Sequence, residues 1–205
     1  MKLLKIISVP IIILFCVNCN QSNLKNSFQI SLVNLGEVDS YQINFIKSIL
    51  NENYNIDSVI VIGQDLPEET YYKPRNRYRA DKLIQFLKEN LDTDKVIGIT
   101  DKDISTTVDQ YEDWGIMGLA YCPGKSCIVS TFRTFRGAKS EEHKKERLKK
   151  VTMHEFGHTL GLPHCKNSKS CLMRDANGKV STVDYVDGYC DKCKSKIQKY
   201  LKSKD

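Results

Sequence analysis

Residues 154–165 read HEFGHTLGLPHC and hold three of the chain's four histidines. His154 and His158 are four apart, so on a helix they lie one turn above each other and can offer imidazole nitrogens to one cation about 2 Å away. Glu155 sits one position round the helix, beside such a metal without having to ligate it, which suits a base that takes a proton from water. Gly161 permits the left-handed turn that ends a helix and Pro163 does not readily continue one, so the chain folds back there and brings in His164. Three neutral imidazoles with an open fourth position describe a catalytic zinc, whereas a structural site uses all four positions. The alternative is that these histidines only pack or sit on a helix surface. A bare HExxH leaves that open, but HExxHxxGxxH is matched here at every fixed position and weighs against it.

Such a helix needs a start and a seat. Ser140 supplies a capping hydroxyl, and Glu141 and Glu142 place negative charge at the positive end of the helix dipole. Met153, Phe156 and Leu160 lie on one face, which seats the helix on a sheet and leaves another face for His154 and His158. The charged run EEHKKERLKK reads as a solvated face, and His143 within it has no ligand-like neighbour. Upstream, Phe28, Ile30 and Leu32 repeat at period two as a strand, followed by a helical stripe of Val38, Tyr41, Phe45 and Ile49. SVIVIG at 58–63 reads as a buried strand, Ala80, Leu83, Ile84, Leu87 and Leu91 as a second helix, and VIGIT at 96–100 as a third strand. GIMGLAY at 115–121 and CIVSTFR at 127–133 flank the Pro-Gly turn of CPGKSC, which predicts an antiparallel hairpin closing a mostly parallel sheet. The fold class expected is α+β.

At 205 residues, 40% of them hydrophobic, the chain has enough material for one core. Its 31 basic against 25 acidic residues give +6, spread through a lysine-rich sequence with no arginine-aromatic patch, so no nucleic-acid partner is implied. Residues 1–19 follow export grammar: Lys2 and Lys5, then an apolar run too short to span a bilayer comfortably, then an abrupt polar stretch. Cleavage before Cys19 would make the chain a bacterial lipoprotein held at the membrane by lipid on that cysteine, although Asn18 stands where a small residue is usual. Simple secretion and an uncleaved anchor are the alternatives. Residues 20–27 read as a polar tether before a single domain at 28–205.

Beyond the motif, YYKPRNRYRADKLIQFL, VIGITDKDI, GIMGLAY, IVSTFR, CLM and CDKC occur in an order that resembles the archaemetzincins, within the metzincin metallopeptidases. The resemblance covers nearly everything after residue 27. It implies a zinc-dependent peptidase in two unequal parts around a cleft, here 28–161 and 162–205, with the long helix at the active site and a small zinc-bearing C-terminal part. It also implies Met173 in a turn beneath the catalytic metal, and a second zinc on Cys165, Cys171, Cys190 and Cys193. Five residues separate Cys165 from Cys171, one more than the family pattern, and the Met173 to Cys190 gap is one shorter. CxxC beside another cysteine pair is ordinary zinc-site spacing.

Cys122 and Cys127 flank the Pro-Gly turn and lie outside the family pattern. A disulfide clamping the turn suits an exported protein, with two unpaired thiols as the alternative. Asp101 and Asp103 in TDKD could hold a cation but read more simply as loop. The function expected is hydrolysis of peptide bonds in a peptide or protein substrate by water activated on zinc, with Glu155 as general base, in a monomer carrying two zinc ions. The rivals are an exported, zinc-stabilised binding protein without catalysis, which would have no use for Glu155, and a zinc-ribbon nucleic-acid binder, which the export signal opposes. The substrate's extended backbone is expected on the edge of GIMGLAY.

Overall fold

The computed structural model describes residues 28–57 and 59–204, so the export segment, the tether and Cys19 lie outside it. The described chain opens with β1 (Ile30–Leu35), α1 (Ser40–Tyr54) and β2 (Val59–Gln64). Two short strands follow, β3 (Tyr71–Tyr72) and β4 (Arg77–Arg79), then α2 (Ala80–Asn90), β5 (Lys95–Thr100), β6 (Ile104–Val108) and β7 (Tyr111–Ile116). The remainder is β8 (Gly118–Ala120), β9 (Ser126–Ser130), the short α3 (Thr131–Thr134), α4 (Glu141–Thr159), α5 (Val180–Tyr185) and α6 (Asp191–Lys202).

The larger sheet has the order β2-β1-β5-β9-β8, parallel throughout except for the β8–β9 pair. Alternation along its strands sends Val33, Leu35, Val96 and Ile128 to one face and Leu32, Ile97, Ile99 and Val129 to the other. The first set packs under α2, through Leu83, Ile84 and Leu87; the second packs under α1 and α4. β5 is buried along its whole length, as a central parallel strand covered on both faces should be. At its middle, a Cβ on Gly98 would lie 2.6 Å from Leu87 Cδ1, so glycine there lets α2 approach the sheet.

Several expectations change. In place of the buried strand expected at 58–63, β2 (Val59–Gln64) is an edge strand: Ile60 and Val61 are 46% and 48% exposed because β2 pairs only with β1 among the described residues. The buried stripe of α1 is Ile43, Ile46, Ile49 and Leu50, while Tyr41 is exposed. Asp39 caps the helix by accepting from the Tyr41 amide, so Val38 precedes the first turn and counting from it shifts the phase. GIMGLAY is two strands, broken at Met117: β7 belongs to a second, four-stranded sheet, β3-β4-β6-β7, and β8 to the first. The strand predicted through Arg133 stops at Ser130 and turns into α3.

Asp103 joins this second sheet to the body of the molecule. Its carboxylate accepts from Arg77 Nε at 2.7 Å and from Arg133 Nε at 2.5 Å, while Arg77 also reaches Asp113 at 2.6 Å. Glycine at 115 leaves the space that the Arg133 guanidinium occupies. Asp101 is a loop residue held by the Glu37 amide and the Lys102 ammonium. Cys122 and Cys127 form no disulfide. Ala120 is the residue opposite Cys127, which leaves Cys122 beyond the paired segment, and the Cys127 side chain points into the core while Cys122 is exposed.

Candidate active site and cysteine cluster

Helix α4 begins as its sequence requires, with Ser140 accepting from the His143 amide at 3.1 Å. It ends in a reversal with Gly161 at φ +86°: the Gly161 amide donates to His158 O at 2.9 Å and the Leu162 amide to Gly157 O at 3.1 Å. This reversal has a chemical consequence. It places the Leu162 carbonyl 2.7 Å from His158 Nδ1, while the Leu172 carbonyl lies 2.8 Å from His154 Nδ1. Carbonyls only accept, so both Nδ1 atoms carry the proton and both Nε2 atoms present lone pairs.

Those two Nε2 atoms face each other at 3.1 Å. Two lone pairs at that distance repel unless a cation lies between them, and two nitrogens on one tetrahedral zinc are about 3.3 Å apart. Protons do not serve instead: burial, then the neighbouring His158, pushes His154 down to about 4, and burial lowers His158 as well. The returning chain brings the His164 ring to 4.9 Å from that of His158, and the ligand nitrogens of all three histidines lie within 4.8 Å of one another. Asp175 Oδ2 lies 3.5 Å from His164 Nδ1. The residues present therefore fit a zinc ion.

Glu155 is 9% exposed, and burial pushes its carboxyl up to about 8, a shift that a cation on the adjacent histidines would oppose, favouring the carboxylate. Its side chain rests on β8: a Cβ on Gly118 would stand 2.5 Å from Glu155 Cγ and 2.8 Å from Oε1. Behind the helix, Gly157 leaves room for Met173, whose Sδ would be 2.7 Å from a Cβ there. Met173 is wholly buried against the turn that separates the two helical histidines. Tyr189 OH donates to the Met153 carbonyl and contacts Tyr54 OH, each at 2.5 Å. All three histidines and Glu155 open onto a cleft of about 780 Å³, bounded by β8, the loop at 174–178 and α5, with Trp114 of β7 reaching across toward Gly178.

Cys165, Cys171, Cys190 and Cys193 come together despite the altered loop lengths, with their sulfurs within 4.8 Å of one another. Cys165 and Cys190 are 3.7 Å apart and Cys171 and Cys193 3.8 Å. A disulfide would need about 2.05 Å, whereas thiolates 2.3 Å from one tetrahedral zinc are separated by about 3.8 Å. Burial raises the Cys165 thiol, but the Asn167 and Ser168 amides and the adjacent sulfurs outweigh it and bring it to about 6. Burial and the neighbouring sulfurs hold Cys193 far above the usual range. One thiolate forms readily here, and Cys171 and Cys193, both raised by burial, require a cation to follow.

The two clusters share a backbone. Cys165 follows His164, and its amide donates to Met173 O at 2.7 Å; Cys171 precedes Leu172, whose carbonyl orients His154. The short-range motif pointed to the ligands, but not to Gly118, Asp175 or the Leu172 carbonyl, which reach the site from elsewhere in the fold. Gly161 was the one local signal for the Leu162 carbonyl.

Residues 37–199 match the model of peptidase family M54. The chain belongs to that family. Among M54 relatives, the archaemetzincin of Halobacterium salinarum is 31% identical over 177 residues, covering 82% of this chain and 99% of that one. That of Archaeoglobus fulgidus is 30% identical over 162 residues, covering 78% and 94%. The crystal structure of archaemetzincin from Methanopyrus kandleri superposes with a TM-score of 0.71 at 26% identity, covering 87% of this chain and 99% of that one. The Archaeoglobus fulgidus enzyme, crystallised with malonate, gives 0.69 at 29%, covering 82% and 99%. The M54 chain described here is a zinc metallopeptidase, with the mixed α/β fold of those structures.

Proposed function

We propose that the chain hydrolyses peptide bonds at a zinc held by His154, His158 and His164, with Glu155 as general base. The observation that carries this reading is the pair of Nε2 lone pairs 3.1 Å apart beside a buried carboxylate that is not among the ligands. Zinc, when bound, supplies a Lewis acid that acidifies water to near neutrality. Glu155 takes the proton of the attacking water and returns it to the departing amine, held in place for both transfers by the absence of a side chain at Gly118. The Leu162 and Leu172 carbonyls fix the tautomer and ring plane of the helical histidines. β8 pairs only with β9 among the described residues, so its other edge is available to an extended substrate backbone along the cleft.

A second, structural zinc belongs on the four cysteines, supported by sulfur spacings of 3.7 and 3.8 Å. The apolar segment before Cys19 supports export and attachment to a membrane through lipid on that cysteine. Native mass spectrometry of the purified chain should show two zinc ions, and chelation should abolish peptide cleavage until zinc is restored. Cleavage indifferent to chelation would overturn the reading. A single zinc, with the four cysteines unreactive to alkylation until reduced, would remove the second site only.

A further inference from the structure

Lys150 has no part in the chemistry above, yet it lines the same cleft. It lies one turn before His154 on α4, so the two side chains project from one face of the helix. The residue is only 8% exposed, but its sole ion-pair partner among the described residues is Glu146, 3.5 Å away on a side chain 52% exposed. That is a long, solvated contact, weak by nature. The other cation of the cleft wall, Arg174, is engaged by the Lys169 carbonyl at 2.9 Å.

Apolar side chains share the cleft wall with Lys150. Val151 of α4, and Val183 and Val186 from α5 and its end, line the same cleft. One turn further back, Arg147 grips Asp184 of α5 through Nε and a second guanidinium nitrogen, both at 2.7 Å, which anchors α5 to α4. The order along α4 is therefore anchor, lysine, zinc histidine. Four residues of helix rise place Lys150 about 6 Å from His154 along the axis, within reach of one substrate side chain. Apolar walls with a single under-paired ammonium recognise a short aliphatic stem ending in a carboxylate.

We propose that Lys150 is a specificity-determining residue, selecting substrates that carry a carboxylate on the residue flanking the scissile bond on the α5 side. This rests on the zinc site acting as the peptidase centre. The carboxylate is that of an Asp or Glu side chain, or the free C-terminus of a peptide ending there.

The test uses the full, zinc-loaded chain and one peptide scaffold carrying Glu, Gln or Lys at each position around the cleaved bond. A second set ends after the flanking residue as free acid or amide. Wild type should favour Glu over Gln by at least ~10-fold in kcat/KM at one flanking position. Lys150→Met should bring that ratio near one, and Lys150→Glu should turn the preference toward Lys. Each ratio is internal to one preparation, so incomplete folding of a variant cancels. A preference for free acid over amide that disappears in Lys150→Met would assign the carboxylate to the C-terminus. A wild-type ratio near one in both sets, or a ratio that survives Lys150→Met, would overturn the proposal. Chelator-sensitive cleavage of the Gln peptide reports on the zinc centre separately: present without discrimination, it sinks only the role of Lys150; absent for every peptide, it sinks both.

Discussion

Replacing Gly118 by alanine should disable the enzyme without touching a ligand. The added Cβ would stand 2.5 Å from Glu155 Cγ and 2.8 Å from Oε1, and ordinary van der Waals contact begins at 3.4 Å, so Cγ must withdraw by about 0.9 Å and Oε1 by about 0.6 Å. Gly118 has no left-handed backbone to lose, so the strand itself tolerates the change. Displacing a reacting group by about 1 Å costs on the order of 100-fold, or about 2.7 kcal/mol in the barrier. The assay is kcat/KM on one quenched peptide, read beside zinc content and thermal melting. Loss of about 100-fold with both zinc ions retained is expected. Activity within threefold of wild type would refute the claim that β8 positions Glu155, and loss of zinc would show that the displacement reaches the histidines.

Cys190→Ser should remove one zinc and weaken retention of the other by at least ~10-fold in a chelator competition, because Cys165 and Cys171 each adjoin a segment that orients a histidine; unchanged retention would uncouple the sites. The Arg147 guanidinium, then His143, holds the Asp184 carboxyl down to about 2 from 3.8. A depressed folded pKa contributes stability above the unfolded value that is lost as pH falls, so melting temperature should drop between about pH 4 and pH 2, less steeply in Asp184→Asn. In a bacterial host, mass spectrometry of the mature chain should find diacylglyceryl-modified Cys19 at the N-terminus; an unmodified terminus after residue 19 would leave simple secretion, and an intact Met1 an anchor.

The histidine site was legible because its information is local. A four-residue helical interval, a capping serine and a glycine that ends the helix act within a few residues of one another, and the structure brings the three histidines together as that spacing suggests. What escaped the sequence depends on partners far along the chain. Two- and three-residue strands such as β3 and β4 have no period to read, so the second sheet was missed. GIMGLAY looks continuous, but sheet membership changes at Met117. Asp103 resembles any loop carboxylate until Arg77 and Arg133 arrive from elsewhere. Closeness across a turn did not pair Cys122 with Cys127, because register and facing decide that, and Ala120 holds the place opposite Cys127. Lys150 sat inside a run read as solvated, yet the folded chain leaves it only 8% exposed on the cleft wall.

The most direct test of the account is zinc-loaded Glu155→Ala, assayed for peptide cleavage and metal content in the same preparation. Glu155 lies beside the histidines without being among the three whose nitrogens converge, so the variant should keep the catalytic zinc while kcat/KM falls by at least ~100-fold. Full cleavage by the variant, with its zinc in place, would contradict it.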